Sequence, residues 1–323
     1  MKVEKSIKKL FDSPHPQGFL YNVETIGKDS YVGIKKKNQN ITVLIKPPKV
    51  KKNKYYAGYE SVNFICEFKQ VEIKNKKKVD FYFLLELTNR KLIEVFIFWV
   101  DSLIQNIDSK TTCSDQINQW ISEYILLMQS AEDKSKDIQG LWSELLLIAK
   151  SSNVEYYMNS WHSNKLDKLD FTDGSVALDV KSTSLETREH KTNFNQLSKY
   201  PQTYIASFLG ITESDNGISI LDLKTEIISE IDNQDLIKKL NKQIMSVLGL
   251  SSSFNQDISK KFNHEMALEN LNVYDVSSFG EYVTVPHYVK KHSLSFKINL
   301  DNELPVIPST SDYQLINSVP IVL

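Results

Sequence analysis

The segment Asp170-Phe-Thr-Asp-Gly-Ser-Val-Ala-Leu-Asp179-Val-Lys181 constrains this chain more than any other. Asp173-Gly174 is a two-residue turn signal between strand-like residues, so the segment reads as a short β-hairpin. A two-residue loop sets Thr172 opposite Ser175 and Asp170 opposite Ala177. Asp179 and Lys181 follow at period two and share the face of Asp170 and Ala177, while Val176, Leu178 and Val180 take the apolar face. A solvated strand edge explains one such polar residue. Two carboxylates and a lysine converging beside an apolar alternation suit a hard cation and a water nucleophile.

The surroundings of this hairpin set the expected architecture. Residues from about 1 to 90 read as β-rich, with strand-like runs at Tyr31–Ile34, Ile41–Ile45, Val62–Phe68 and Asp80–Leu87. Residues 90–130 carry apolar side chains at helical spacing, among them Leu92, Val95, Phe96, Val100 and Leu103. Asp137 is positioned to cap a helix running to about Lys150. A strand near Val154–Met158, the hairpin, a helix from about Thr192 to Lys199 and a strand at Thr203–Leu209 follow. Residues 222–247 read as largely helical, and 272–323 as short strands and turns. The expected fold class is α/β (α+β): a mixed central sheet flanked by helices, with a β-rich N-terminal region. The expected divisions are 1–130, 131–215 and 216–323.

With 323 residues, 41% hydrophobic and 24% charged, the chain is long enough to bury a core of ordinary size. Cys66 and Cys113 lie far apart and in no metal-ligand spacing, which fits free thiols in a reducing, cytoplasmic compartment. No apolar run reaches the roughly 18 residues of a membrane span, and the basic start lacks the apolar region of a signal peptide. The net charge of −1 hides an asymmetry: residues 1–80 hold 18 lysines against 8 acidic residues, a balance of +10, and the remainder balances to −11. Such a division points either to an anionic partner or to lysine-rich loops that solubilise a sheet. Lys51, Lys52 and Lys54, followed by Tyr55 and Tyr56, are the candidates for tracking a nucleic-acid backbone, with a solvated loop as the default reading. There is no glycine-rich phosphate loop, so ATP hydrolysis is not expected.

On the helix from Asp137, Leu141, Leu145 and Ile148 make a buried stripe, and Glu144 lies three residues after Leu141. Helical geometry alone leaves Glu144 at the stripe edge, reaching solvent. Taken with the hairpin, however, Gly140-Leu-Trp-Ser-Glu144, Asp170-Phe171 and Asp179-Val-Lys181-Ser-Thr183 resemble the PD-(D/E)XK nuclease superfamily, in particular its members in prokaryotic anti-phage defence clusters. That pattern is a helix with a Glu, an Asp at the start of one strand, a (D/E)-x-K on the next, and then a helix carrying a Gln. Arg188-Glu-His190 and Gln196-Leu197 lie where those proteins tend to have Arg-x-His and Gln-Leu. Gln196-Leu-Ser-Lys-Tyr200 also fits the Gln-x-x-x-Tyr of RecB-like nucleases. The specific part covers residues 138–200. Leu169 stands in place of the motif's Pro, and Asp179 in place of the more frequent Glu.

The resemblance implies a restriction-endonuclease-like core and a Mg2+-dependent DNA endonuclease, with Mn2+ able to substitute, acting in restriction or phage defence. It implies Asp170, Asp179 and the Val180 carbonyl as metal ligands, with Glu144 completing the site. Lys181 would orient the attacking water or neutralise the phosphate. Gln196 would contact water or DNA backbone, and Arg188 and His190 would hold a phosphate near the cut. The implied partners are DNA, a second copy of the chain, and defence-cluster proteins such as an ATPase or methyltransferase. The competing readings are a catalytically silent nucleic-acid-binding subunit and a scaffold component of a defence complex.

Overall fold

The structure, a computed structural model, describes residues 2–12, 21–27, 29–35, 39–50, 56, 58–61, 63–73, 78–108, 110–130, 137–163, 169–198, 200–249, 254–283, 290 and 294–320. The chain divides into two units, Met1–Lys134 with Asn241–Asn255, and Ser135–Leu240 with Gln256–Leu323.

In the first unit a helix, α1 (Lys2–Asp12), precedes β1 (Tyr21–Gly27), β2 (Ser30–Lys35), β3 (Ile41–Ile45), β4 (Tyr59–Glu60), β5 (Phe64–Ile73) and β6 (Lys78–Leu87). They form one antiparallel sheet in the order β1-β2-β3-β6-β5-β4. Helices α2 (Ile93–Gln105) and α3 (Ser114–Ser130) follow. Every residue of α2 from Val95 to Leu103 is buried, as expected of a helix that is apolar nearly all round. The lysine excess is partly internal to this unit: Lys8, Lys9, Lys35, Lys46 and Lys69 pair with Glu4, Glu24, Glu86, Asp80 and Glu67. Lys51, Lys52 and Lys54 lie outside the described residues.

The second unit begins with α4 (Ile138–Lys150), whose N-terminus is capped by Asp137 accepting from the Gly140 amide at 2.7 Å. A Cβ at Gly140 would lie 2.7 Å from that carboxyl, so the cap and the glycine are mutually dependent. Gly140→Ala therefore gains helix propensity but displaces the cap, two effects of about 1 kcal/mol each. Alone it is expected to be neutral or destabilising, whereas in an Asp137→Ala background it stabilises by about 1 kcal/mol. Chemical denaturation of the four-member cycle reads this change of sign.

After α4 come α5 (Val154–Ser160), β7 (Phe171–Thr172), β8 (Val176–Ser182), β9 (Glu189–Asn193), α6 (Phe194–Ser198), β10 (Gln202–Phe208), β11 (Glu213–Ser219), α7 (Ile220–Ser229), α8 (Gln234–Leu248), α9 (Phe254–Ser259), β12 (Lys261–Phe262), α10 (His264–Glu269), β13 (Leu271–Asp275), β14 (Ser295–Asn299) and α11 (Gln314–Asn317), of which α8 from Asn241 and α9 up to Asn255 count with the first unit. The central sheet is mixed, in the order β13-β10-β8-β7: β10 runs parallel to β8, and both outer pairings are antiparallel. Helix α4 packs on β8, α5 and α7. Its stripe of Leu141, Leu145 and Ile148 is buried as expected. Among the described residues no helix is long and apolar enough to cross a membrane.

Three local expectations are corrected. Val154–Met158 is helical, because the Asn153 side chain accepts from the Tyr156 amide and caps a helix there. Residues 189–193 form a strand paired with β14, ahead of a helix that begins at Phe194. The hairpin pairs Phe171 with Leu178 and Thr172 with Ala177, two residues away from the two-residue-loop register. The Asp173 carboxylate accepts from the Ser175 and Val176 amides, at 2.9 and 3.0 Å, and builds a wider turn around Gly174, whose φ is +97. A shift of two keeps strand parity, so the faces are unchanged.

Candidate metal centre

Strand β7 begins at Phe171, opposite Leu178, so β7 does not pair with β8 at Val180. The Asp170 carboxylate fills that place, its Oδ2 accepting from the Val180 amide at 2.7 Å. Gln139 of α4 donates to Ser182 at the end of β8 (3.1 Å), and five residues further along α4 comes Glu144. Its side chain is only 16% exposed, so it does not run out to solvent along the stripe edge. Glu144 Oε2 accepts from Nε1 of the fully buried Trp161 at 2.6 Å and lies 3.2 Å from His162 Nε2.

Trp161 and His162 are presented by the C-terminus of α5, whose Met158 and Asn159 carbonyls accept from Lys239 Nζ (2.9 and 3.2 Å). Burial pushes that lysine's pKa down to about 8. The His162 amide donates to the Asp170 carbonyl at 2.7 Å, in a backbone with φ +40. One ligand atom each from Glu144, His162 and Asp170 lie within 4.8 Å of one another.

Asp179, on the next position of β8, is 2% exposed. Its Oδ2 is 2.8 Å from Lys181 Nζ, and Gln196 Nε2 reaches its two oxygens at 3.3 and 3.5 Å. Gln196 is fixed by a capping box: the Asn193 side chain accepts from the Gln196 amide (3.1 Å), and Gln196 Oε1 accepts from the Asn193 amide (3.2 Å). The oxygen end is spent on the helix cap, and the amide nitrogen is directed at Asp179.

The charges crowd. Loss of water contact, then the Glu144 and Asp179 carboxylates, push the Asp170 carboxyl well above its usual range, against the pull of Lys181 and the Val180 amide. Desolvation works against the Lys181 ammonium, but Asp179, Asp170 and Glu144 outweigh it and raise its pKa. Lys181 is therefore a cation at neutral pH, with donors to offer and no lone pair. Three carboxylates share one ammonium, a donor set with surplus negative charge and oxygen ligands, which fits a divalent cation.

A family model described as "Putative PD-(D/E)XK family member, (DUF4420)" matches residues 22–278. The chain belongs to this family. No curated protein matches the chain, and no solved structure does. Within the matched residues, Asp170 lies with Glu144 and His162, and Asp179 contacts Lys181 and Gln196.

Arg188 and His190, by contrast, lie inside the unit. Strand β9 alternates, with Glu189 and Lys191 exposed and His190 and Thr192 buried. The Arg188 guanidinium donates to the Ser207 and Asn270 carbonyls at 2.6 and 2.7 Å and lies over the Tyr274 ring. His190 Nε2 is 2.7 Å from Ser207 Oγ. The expected phosphate contact is corrected: period two turns both side chains inward, and their partners are protein groups.

Burial first, then Lys181 and Arg188, push His190 down to about 4 from 6.5, with Asp301 opposing. The unfolded chain then takes up a proton that the folded protein refuses, so stability is lost as pH falls from 6.5 towards 4. Between pH 7 and 4.5, wild type is expected to lose roughly 2–3 kcal/mol more than His190→Gln in urea unfolding. Equal losses would mean that His190 is not held neutral.

His162 went unremarked in the sequence. It sits singly in a connection with no metal-ligand spacing, and only the helical folding of α5 carries it to Glu144.

Proposed function

We propose that this chain is a Mg2+-dependent endonuclease that hydrolyses DNA phosphodiester bonds, the setting implied by the resemblance being restriction or phage defence. The observation that carries the reading is that ligand atoms of Glu144, His162 and Asp170 lie within 4.8 Å of one another, with the Asp179–Lys181 pair following on β8. A divalent cation held there would stabilise the extra charge of phosphodiester hydrolysis and acidify a bound water.

The residues' own parts follow from their positions. Asp170 and Asp179 supply the carboxylates that would hold the ion, and Glu144, pinned by Trp161, adds a third. Lys181 keeps its proton and donates to Asp179, with further N–H donors for a water or a phosphate oxygen. In that position it orients and neutralises. Gln196 keeps Asp179 from rotating away.

Purified protein incubated with supercoiled plasmid and Mg2+ is expected to give nicked or linear product, with none in excess chelator and none from Asp179→Asn. Cleavage that survives both chelation and the substitution would overturn the reading, as would a wild type that leaves single- and double-stranded DNA intact with Mg2+ and with Mn2+.

A further inference from the structure

We infer that His162 is a protein ligand of the cation at this centre, and that its imidazole makes the centre select Mn2+ over Mg2+. The inference rests on the metal-centre reading above and deepens it. His162 Nε2 lies 3.2 Å from Glu144 Oε2. Two ligands of one ion, each about 2.1–2.2 Å from it and near a right angle, lie roughly 3 Å apart. The imidazole nitrogen and one oxygen each of Glu144 and Asp170 lie within 4.8 Å of one another, so small rotations close a three-ligand set.

The backbone argues for the same role. His162 holds a left-handed φ of +40, and its amide is tied to the Asp170 carbonyl at 2.7 Å. A histidine adopts that conformation only where its surroundings over-determine it. Here the conformation keeps the ring beside Glu144 while the His162 amide holds the backbone of Asp170. The side chain stays 30% exposed, open to an incoming ion. Trp161 meanwhile takes one hydrogen-bonding position of Glu144 Oε2 and fixes that carboxylate.

An all-oxygen site of carboxylates and waters suits Mg2+, whereas an imidazole nitrogen raises affinity for first-row transition ions, Mn2+ the most oxygen-tolerant among them. A ring that merely hydrogen-bonds Glu144 would not discriminate between the two ions.

His162→Asn tests this, because Asn tolerates the left-handed backbone while replacing the nitrogen ligand by an oxygen. Mn2+ binding is read from the loss of free-ion EPR signal, and Mg2+ binding from its competition with Mn2+. Wild type is expected to bind Mn2+ at least about tenfold more tightly than Mg2+, and His162→Asn to lose about tenfold in Mn2+ affinity with little change for Mg2+. Pulsed EPR of the Mn2+-loaded wild type, which needs no variant to fold, is expected to show coupling to a directly bound imidazole nitrogen. Absence of that coupling, or an unchanged Mn2+:Mg2+ ratio in His162→Asn, overturns the inference and leaves the nuclease reading standing. No divalent binding by wild type overturns both. His162-dependent Mn2+ binding without DNA cleavage overturns the nuclease reading alone.

Discussion

Lys181→Met is expected to lower plasmid cleavage by at least about a hundredfold, the loss that follows removal of one preorganised charged donor. It is also expected to destabilise the protein by roughly 3–5 kcal/mol, because Asp179, 2% exposed, keeps its carboxylate and loses its ammonium. The two effects separate in the double variant Asp179→Asn/Lys181→Met. Replacing the pair by neutral groups of similar shape removes the uncompensated charge, so stability recovers most of the loss while cleavage does not return. A single variant that unfolds no more easily than wild type would contradict the pairing. A double variant that cuts DNA would contradict the role.

Asp170→Asn is expected to do the opposite to stability. In chelator-treated protein the wild-type carboxyl is crowded by Glu144 and Asp179, and its pKa is raised above the ordinary 3.8. A group whose folded pKa is raised contributes stability below its unfolded value and loses it as pH rises through the folded value. The Asn variant escapes that loss, and its oxygen can still accept from the Val180 amide. Its melting temperature at neutral pH should therefore exceed wild type by a few degrees, on the order of 1 kcal/mol. The gap should close as pH falls to about 4. Added Mn2+ should then raise the melting temperature of wild type and leave Asp170→Asn almost unmoved, with cleavage lost. A lower melting temperature for the variant without metal would mean that Asp170 is structural.

Much of this centre was legible because strand parity is robust. The turn at Asp173-Gly174 is two residues wider in register than its dipeptide suggests, since the Asp173 side chain bonds two amides beyond itself. Asp170, Asp179 and Lys181 still share a neighbourhood, because an even shift preserves faces. The Asp137 cap and the Leu141–Ile148 stripe were equally readable, being local.

What was hidden has a common cause: polar residues facing inward. Strand β9 alternates with Arg188, His190 and Thr192 buried, so no apolar period announced it, and two core side chains read as DNA contacts. Val154–Met158 looked strand-like from its Val and Tyr content, and Asn153, the capping residue that overrides this, precedes the run. His162 had no partner in sequence. Its partner is Glu144, eighteen positions earlier, and the two meet only because α5 turns the chain back.

The most direct measurement is an anomalous difference map from crystals of the whole chain soaked in Mn2+. The expected result is a peak within about 2.0–2.6 Å of carboxylate oxygens of Asp170 and of at least one of Glu144 and Asp179, and absent from Asp170→Asn crystals. Manganese bound elsewhere, with no peak at Asp170, would contradict the claim that these residues form the metal centre.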